Sequence, residues 1–210
     1  IPRQDLLRKV QNDLTKAGWK AGVDGFLEKK KTEKGKKTTT KLEFSISTGN
    51  VPELAGTAEL IKQDLTAIGM KVDIKTFEIG NLNQGVIRPR KYDALLFGEI
   101  INHESDFFAF WHSSQRKDPG LNVALYANKS ADRILEDARH LPDPQARAVK
   151  YEELQKIITR DIPAVFLYSQ VYLYAISDDL QGVDIKKISL PADRFNEAHK
   201  WYKDTKRVWE

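Results

Sequence analysis

The sequence predicts an α/β fold built on a parallel or mostly parallel sheet. Hydrophobic patterns of strand and helix type alternate from residue 42 to residue 97, in the order strand, helix, strand, helix, strand. The last of these strands, Ala94-Leu95-Leu96-Phe97, is apolar at every position rather than at every second one. That pattern suits a strand covered on both faces, as in sheets flanked by helices. With 210 residues, 40% of them hydrophobic and 30% charged, the chain suffices for one good-sized domain with a full core.

Each element has its own signal. Leu6, Leu7, Val10, Leu14 and Ala17 recur at spacings of three and four, a helix over 3–17, and Gly18 stands where a left-handed C′ residue belongs. Residues 26–43 read as a β-hairpin with a lysine-rich tip around Gly35, whose charge discourages pairing with other chains. Leu42, Phe44 and Ile46 alternate with polar residues, as in a strand with one buried face. Leu54, Ala58, Ile61, Leu65 and Ile68 form a helix closed by Gly69, and Met70, Val72 and Ile74 alternate again. A short helical segment, Asn81 to Ile87, stops at Pro89 and feeds the apolar strand. Further on, Ser130 or Asp132 caps a helix carrying Ile134, Leu135 and Ala138. Asp143 and Pro144 supply the N-cap and first position of the next, with Tyr151, Leu154, Ile157 and Ile158 as its stripe. Ala164 to Ile176, rich in β-branched and aromatic residues, predicts one or two strands. The tail is irregular, anchored by Phe195, Trp201, Tyr202 and Trp209. There is no internal repeat and no low-complexity linker, so one compact unit is the simplest organisation.

The bulk properties narrow the function. No apolar run approaches the roughly 18 residues of a membrane span. Without cysteine there is no disulfide, thiolate metal site or cysteine nucleophile. The net charge of +4 is local, because Lys29, Lys30, Lys31, Lys34, Lys36, Lys37 and Lys41 crowd one segment. Nucleic-acid binding asks for basic residues interleaved with aromatics, which that segment lacks. The chain opens on Ile1-Pro2-Arg3-Gln4, without Met or a signal segment, and reads as a processed end or a piece of something longer.

The candidate site follows the apolar strand. Past Gly98 come Glu99, Ile100, Asn102, His103, Glu104, Ser105 and Asp106, then Phe107, Phe108, Phe110 and Trp111. Ligands of open α/β sheets sit beyond the carboxyl ends of the strands, and a glycine there permits a sharp turn or close approach of a ligand to the backbone. The other reading is an ordinary strand-to-helix turn capped by Ser105 or Asp106.

Four stretches carry a resemblance to a known family: Leu14-Thr15-Lys16-Ala17-Gly18-Trp19 with Asp24-Gly25; Ile61 to Val72; Arg90-Lys91-Tyr92-Asp93-Ala94 with Gly98; and an ordered series from Leu125-Tyr126-Ala127-Asn128 through Asp132, Asp143, Arg147, Tyr151 and Gln155 to Asp161-Ile162-Pro163-Ala164. Leu180-Gln181-Gly182-Val183 adds a fifth, smaller match. In this order they resemble the C-terminal lobe of the family 5 extracellular solute-binding proteins, the peptide, oligopeptide and nickel receptors of ABC importers.

The resemblance implies a lobe of the type II periplasmic-binding-protein fold, a mixed sheet flanked by helices, with residues 1–210 forming one substrate-binding lobe. It implies an extracytoplasmic location, in a periplasm or as a surface lipoprotein. The partners would be a peptide or similar solute, a permease and an N-terminal lobe, with the membrane reached only through a lipid anchor or the transporter. No cofactor, no nucleic acid and no catalysis are expected. Gly98, Glu99, Ile100, Asn102, His103, Glu104 and Phe107 are the expected ligand contacts. In peptide-binding members an aromatic follows the glycine, and an acid three residues further pairs with the peptide amino group; here Glu99 and Asn102 hold those places. An amide accepts a hydrogen bond but supplies no charge, so Glu99, Glu104 and Asp106 are the acids available to substitute. Leu96 stands nearest the place of a basic residue that some oligopeptide binders use for the peptide carboxylate.

Two other classes compete. His103, Glu104, Asp106 and His112 are donors for nickel or zinc, although neighbours such as His103 and Glu104 point apart in a helix or strand. Ser113, Ser114, His103, His112 and Asp106 suggest a hydrolase, but there is no G-x-S-x-G elbow and no spacing that sets a base beside a nucleophile.

Overall fold

The structure is a computed structural model and describes residues 2–33, 35–100, 106–185, 188 and 190–203. Contacts within the chain gather it into two units, Ile1–Gly98 with Lys117–Val123, and Glu99–Arg116 with Ala124–Glu210.

In the first unit, helix α1 (Arg3–Lys16) and helix α2 (Pro52–Ala67) stop in the same way. Asp13-Leu14-Thr15-Lys16-Ala17-Gly18 and Asp64-Leu65-Thr66-Ala67-Ile68-Gly69 share one pattern. Each glycine takes a left-handed φ, +89° and +91°, and donates its N–H to the threonine carbonyl (3.0 and 2.9 Å); the residue after it donates to the leucine carbonyl (3.0 Å in both). These are Schellman closures, which satisfy carbonyls left over at a helix end.

Strands β1 (Lys20–Ala21), β2 (Leu27–Glu33) and β3 (Lys36–Lys41) form an antiparallel ribbon in that order. Strands β4 (Glu43–Gly49), β5 (Lys71–Phe77) and β6 (Ala94–Leu96) form a separate sheet in the order β5-β4-β6, every pair parallel. The α/β sheet is thus wholly parallel among the described residues. Helix α2 crosses from β4 to β5, and a helical turn α3 (Ile79–Leu82), running on as a π-type turn over Asn83–Ile87, leads towards β6.

Burial reverses one expectation from the strand patterns. β4, with its single apolar face, is the middle strand, and Ser45, Ile46, Ser47 and Thr48 are all buried. The uniformly apolar β6 lies at the edge of the described sheet and is only half-buried. Two of these polar residues are tolerated in the central position because their hydroxyls are engaged: Ser45 donates to Asp93 (2.7 Å) and Thr48 to the Leu96 carbonyl (3.0 Å). Leu95 packs with Phe77, Tyr92 and Val123 against a core of Leu82, Val86 and Ile87.

The second unit holds a helical turn α4 (Phe108–Trp111), a 3-10 turn over Ser113–Arg116, and helices α5 (Lys129–His140) and α6 (Pro144–Asp161). Its core is Ala131, Leu135, Leu154 and Ile158, with Phe107, Trp111, Tyr126 and Tyr151 packed around it. Asp143 caps α6 as expected, accepting from Gln145 and Ala146 N–H. The cap of α5 is Asn128, not Ser130 or Asp132: its Oδ1 accepts from Ser130 (2.9 Å) and Ala131 (3.2 Å) N–H. Asp132 is already inside the helix and turns its carboxylate to Ser113, accepting from its N–H (2.8 Å) and hydroxyl (2.6 Å).

The strands expected between Ala164 and Ile176 do not form among the described residues, where the segment is irregular. Val165, Phe166, Val171 and Leu173 are each at least 72% exposed. β propensity is a preference for a half-buried pleated surface and needs a neighbouring strand to be expressed. In the tail, Tyr202 bridges Gln181 in antiparallel fashion, and the Phe195 ring meets those of Trp201 (5.9 Å) and Tyr174 (6.5 Å). Trp209 lies outside the described residues. Among the described residues no helix is long and apolar enough to cross a membrane.

Candidate functional site

The run Arg90-Lys91-Tyr92-Asp93 fixes the entry to β6, and three of its four side chains are ties. Arg90, at a left-handed φ of +57°, donates to the carbonyls of Ile87 (2.6 Å) and Gly120 (2.5 Å). The Tyr92 hydroxyl donates to the Val123 carbonyl (2.6 Å), and burial pushes its pKa up. Asp93 accepts from Ser45 twice, from hydroxyl and N–H, and these bonds hold its carboxyl below the usual range. A short strand so tied delivers Gly98 to the carboxyl end of the parallel sheet in a defined place.

Gly98 is exposed and does not adopt a left-handed φ, so no sharp turn demands glycine there. A Cβ built on it meets nothing within 4 Å, which leaves its backbone open to approach. Glu99 is exposed over its surface as a whole, yet the protein around its carboxyl displaces enough water to push its pKa up to about 7. Ile100 is 67% exposed. Asn102, His103, Glu104 and Ser105 lie outside the described residues.

Phe107 is half-buried in the second unit, edge-on to Tyr151 with ring centres 4.7 Å apart. Asp106 fits the strand-to-helix turn reading: its carboxylate accepts from the Phe108 N–H (3.1 Å) and pairs with Arg139 (3.0 Å). The Arg139 guanidinium lies 4.2 Å from the Phe108 ring centre, and Phe108 stacks on His112 at 4.0 Å.

The structure also brings together a pair that spacing did not. His112 Nδ1 lies 2.7 Å from Ser114 Oγ, and Nε2 lies 3.3 Å from Glu136 Oε1. Nδ1 also accepts the Ser114 backbone N–H (3.2 Å), so the ring closes the start of the 3-10 turn while Gln115 Nε2 donates to the same serine oxygen (3.0 Å). Among the described residues no group of three or more His, Asp or Glu is placed to hold a metal ion.

A cluster that sequence reasoning noted only as matching positions joins the two ends of the α5–α6 pair. Asp161 accepts from Tyr126 (2.6 Å), Asn128 (2.7 Å) and Arg160 (2.9 Å). The Arg160 bond, then those from Tyr126 and Asn128, hold the Asp161 carboxyl down at about 2; desolvation and the Asp161 contact push Tyr126 up to about 12.

An open glycine and an acid beyond the carboxyl edge of a parallel sheet place the chain in the α/β class and occupy the position where open sheets of that class receive ligands. Comparison with known proteins narrows the class. No protein-family model matches the chain. It is 29% identical over 198 residues to the oligopeptide-binding protein AppA of Bacillus subtilis, a match covering 93% of this chain and 34% of AppA. It is 32% identical over 161 residues to di/tripeptide-binding protein 2 of Pseudomonas aeruginosa, covering 75% of this chain and 30% of that protein. The structure of AppA in complex with a nonapeptide superposes with a TM-score of 0.68 at 28% identity, over 94% of this chain and 37% of that one. NikZ of Campylobacter jejuni, in complex with Ni(L-His), shares the fold with a TM-score of 0.65 at 23% identity over 94% of this chain and 39% of that one. The chain is homologous to the family 5 solute-binding proteins, the peptide, oligopeptide and nickel receptors of ABC importers, and spans about a third of the length of its curated relatives.

Proposed function

We propose that residues 1–210 form the C-terminal ligand-binding lobe of an extracytoplasmic receptor that delivers peptides or similar small solutes to an ABC importer. The observation that carries this reading is the match to AppA, by sequence and by fold, over more than nine-tenths of the chain. The lobe binds and performs no chemistry of its own. Its contacts are Gly98 by backbone approach, Glu99, Ile100, Asn102, His103 and Glu104, with Phe107 as an apolar wall. The open space around Gly98 supports the first of these. Glu99 supplies the acid that Asn102 does not, pairing with a peptide ammonium as its carboxylate.

A closed site buries roughly 70–90% of a small ligand, so a second lobe must cover the solute, and the lobe by itself binds weakly. The exposed apolar run from Val165 to Ile176 is surface suited to that second lobe. Calorimetry with one peptide mixture tests the reading on this chain and on the receptor in which it is joined to its other lobe. Tight binding by the two-lobed form with weak binding by this chain supports it; equal, tight affinity in both contradicts a shared cleft.

A further inference from the structure

The β2–β3 ribbon concentrates the charge of the whole molecule. Between Leu27 and Lys41 stand seven lysines and two glutamates, a net charge of +5 on a chain whose total is +4, so everything else together is close to neutral. The register of the ribbon sets Lys29, Lys31 and Lys36 on one face and Lys30, Lys37 and Lys41 on the other, all exposed. From Lys29 to Lys41 there is no apolar or aromatic side chain. A stereospecific protein partner needs buried anchors, usually aromatic or Arg, and single-stranded nucleic acid needs stacking platforms; the ribbon offers neither. Cations on both faces without anchors suit a surface of spread negative charge.

The root of the ribbon is rigid. Leu27 N–H donates to the Gly69 carbonyl (2.8 Å), Leu42 N–H to Leu27 (2.8 Å) and Lys71 N–H to Leu42 (3.0 Å). Lys29 donates to the Ala17 carbonyl (2.7 Å), and Lys41 pairs with Asp24 (2.6 Å). These bonds fasten the ribbon to the amino ends of β4 and β5. β6 runs parallel to β4, so Gly98, after β6, leaves from the opposite edge of the sheet. Among the described residues Lys36 and Lys37, near the tip, make no ion pair.

We propose that the β2–β3 ribbon is an electrostatic foot that rests on the anionic head groups of a membrane, at the sheet edge opposite Gly98. It is a contact of the folded chain itself, independent of any lipid anchor, and it leaves the carboxyl edge of the sheet uncovered. The inference goes beyond the proposed function, and its test involves no solute.

Co-sedimentation of this chain with vesicles tests it, comparing pure phosphatidylcholine with phosphatidylcholine carrying about 30% phosphatidylglycerol. The chain binds only the anionic vesicles, and releases them when salt rises to about 0.5 M. A lysine near an anionic surface is worth about fivefold in partition, so the triple variant Lys31→Ser, Lys36→Ser, Lys37→Ser binds roughly a hundredfold more weakly. Its far-UV circular dichroism and melting temperature match those of the parent. A control with the same charge loss elsewhere, Lys9→Ser, Lys117→Ser, Lys156→Ser, stays within about threefold of the parent. Four results overturn the proposal: equal loss in both triples, equal binding to neutral vesicles, no binding to either vesicle, or full displacement by millimolar glycerol phosphate. The last marks a pocket for one phosphate rather than a surface contact.

Discussion

Asp93 accepts two hydrogen bonds from one residue, Ser45, through the backbone N–H at 2.9 Å and the hydroxyl at 2.7 Å. The pair spans from the approach to β6 into the middle of β4, and so fixes where the strand that carries Gly98 sits on the sheet. Replacing Asp93 by Asn keeps the shape and removes the charge. Because the carboxylate is partly solvated, the expected cost at pH 7 is about 1 kcal/mol, read from urea denaturation. The folded pKa of Asp93 is depressed, so its stabilisation is present above the unfolded value of 3.8 and fades as pH falls below it. Parent and variant therefore converge in stability in acid.

The two Schellman ends allow a matched comparison. Ala at Gly18 or Gly69 incurs the left-handed penalty of about 1–2 kcal/mol. At Gly18 the new Cβ meets only the flexible Lys29 side chain, at 3.4 Å; at Gly69 it meets Leu27 Cγ at 2.9 Å. Gly69→Ala therefore lowers the thermal midpoint more than Gly18→Ala, by a further cost of about 1 kcal/mol from overpacking.

Asp161 makes an acid-limb prediction. Its carboxyl is held at about 2, so its contribution is complete above the unfolded value of 3.8 and is lost as pH falls through about 2. Asp161→Asn flattens the dependence of melting temperature on pH between those values. Tyr126→Phe removes one of three donors and has the smaller effect.

Glu99 has the opposite sign. Its folded pKa of about 7 lies above the unfolded 4.5, so its contribution is complete below 4.5 and is lost as pH rises through 7. Glu99→Gln should raise the melting temperature at pH 8 and leave it unchanged at pH 4. A carbon-detected NMR titration with a midpoint near 7 checks the cause directly.

Much of this was legible in the residues. Periodicity gave α1, α2, α6 and the three strands of the parallel sheet, because regular amphipathic elements leave a period in the sequence. The left-handed Gly18 and Gly69 and the Asp143 cap follow from local chemistry alone. Coverage was harder: Ala94 to Leu96 resembles a doubly covered strand, yet β4, with Ser45, Ser47 and Thr48, holds that place. Which strand is central depends on pairing order, and the hydroxyls of Ser45 and Thr48 are tolerated there because residues 48 positions away receive their hydrogen bonds. Ala164 to Ile176 failed for a related reason, since strand propensity needs a partner strand. Of the candidate stretch, its place after a strand of the sheet was legible and its geometry was not. Gly98 and the acid beside it stand beyond a strand as expected, while the desolvation of the Glu99 carboxyl is a property of its surroundings in the fold that no spacing in the sequence encodes. The His112–Ser114 contact, two residues apart, came from a turn that spacing alone does not specify.

The central claim is that the loop after β6 receives the solute. Proton–nitrogen NMR spectra of this chain, titrated with a mixture of short peptides to millimolar concentration, test it most directly, because weak binding by one lobe still moves resonances in fast exchange. The account predicts shifts concentrated at Gly98 to Glu104 and at Phe107, with the ribbon and α6 unmoved. Shifts centred elsewhere, or a spectrum unchanged at saturating peptide, would contradict it.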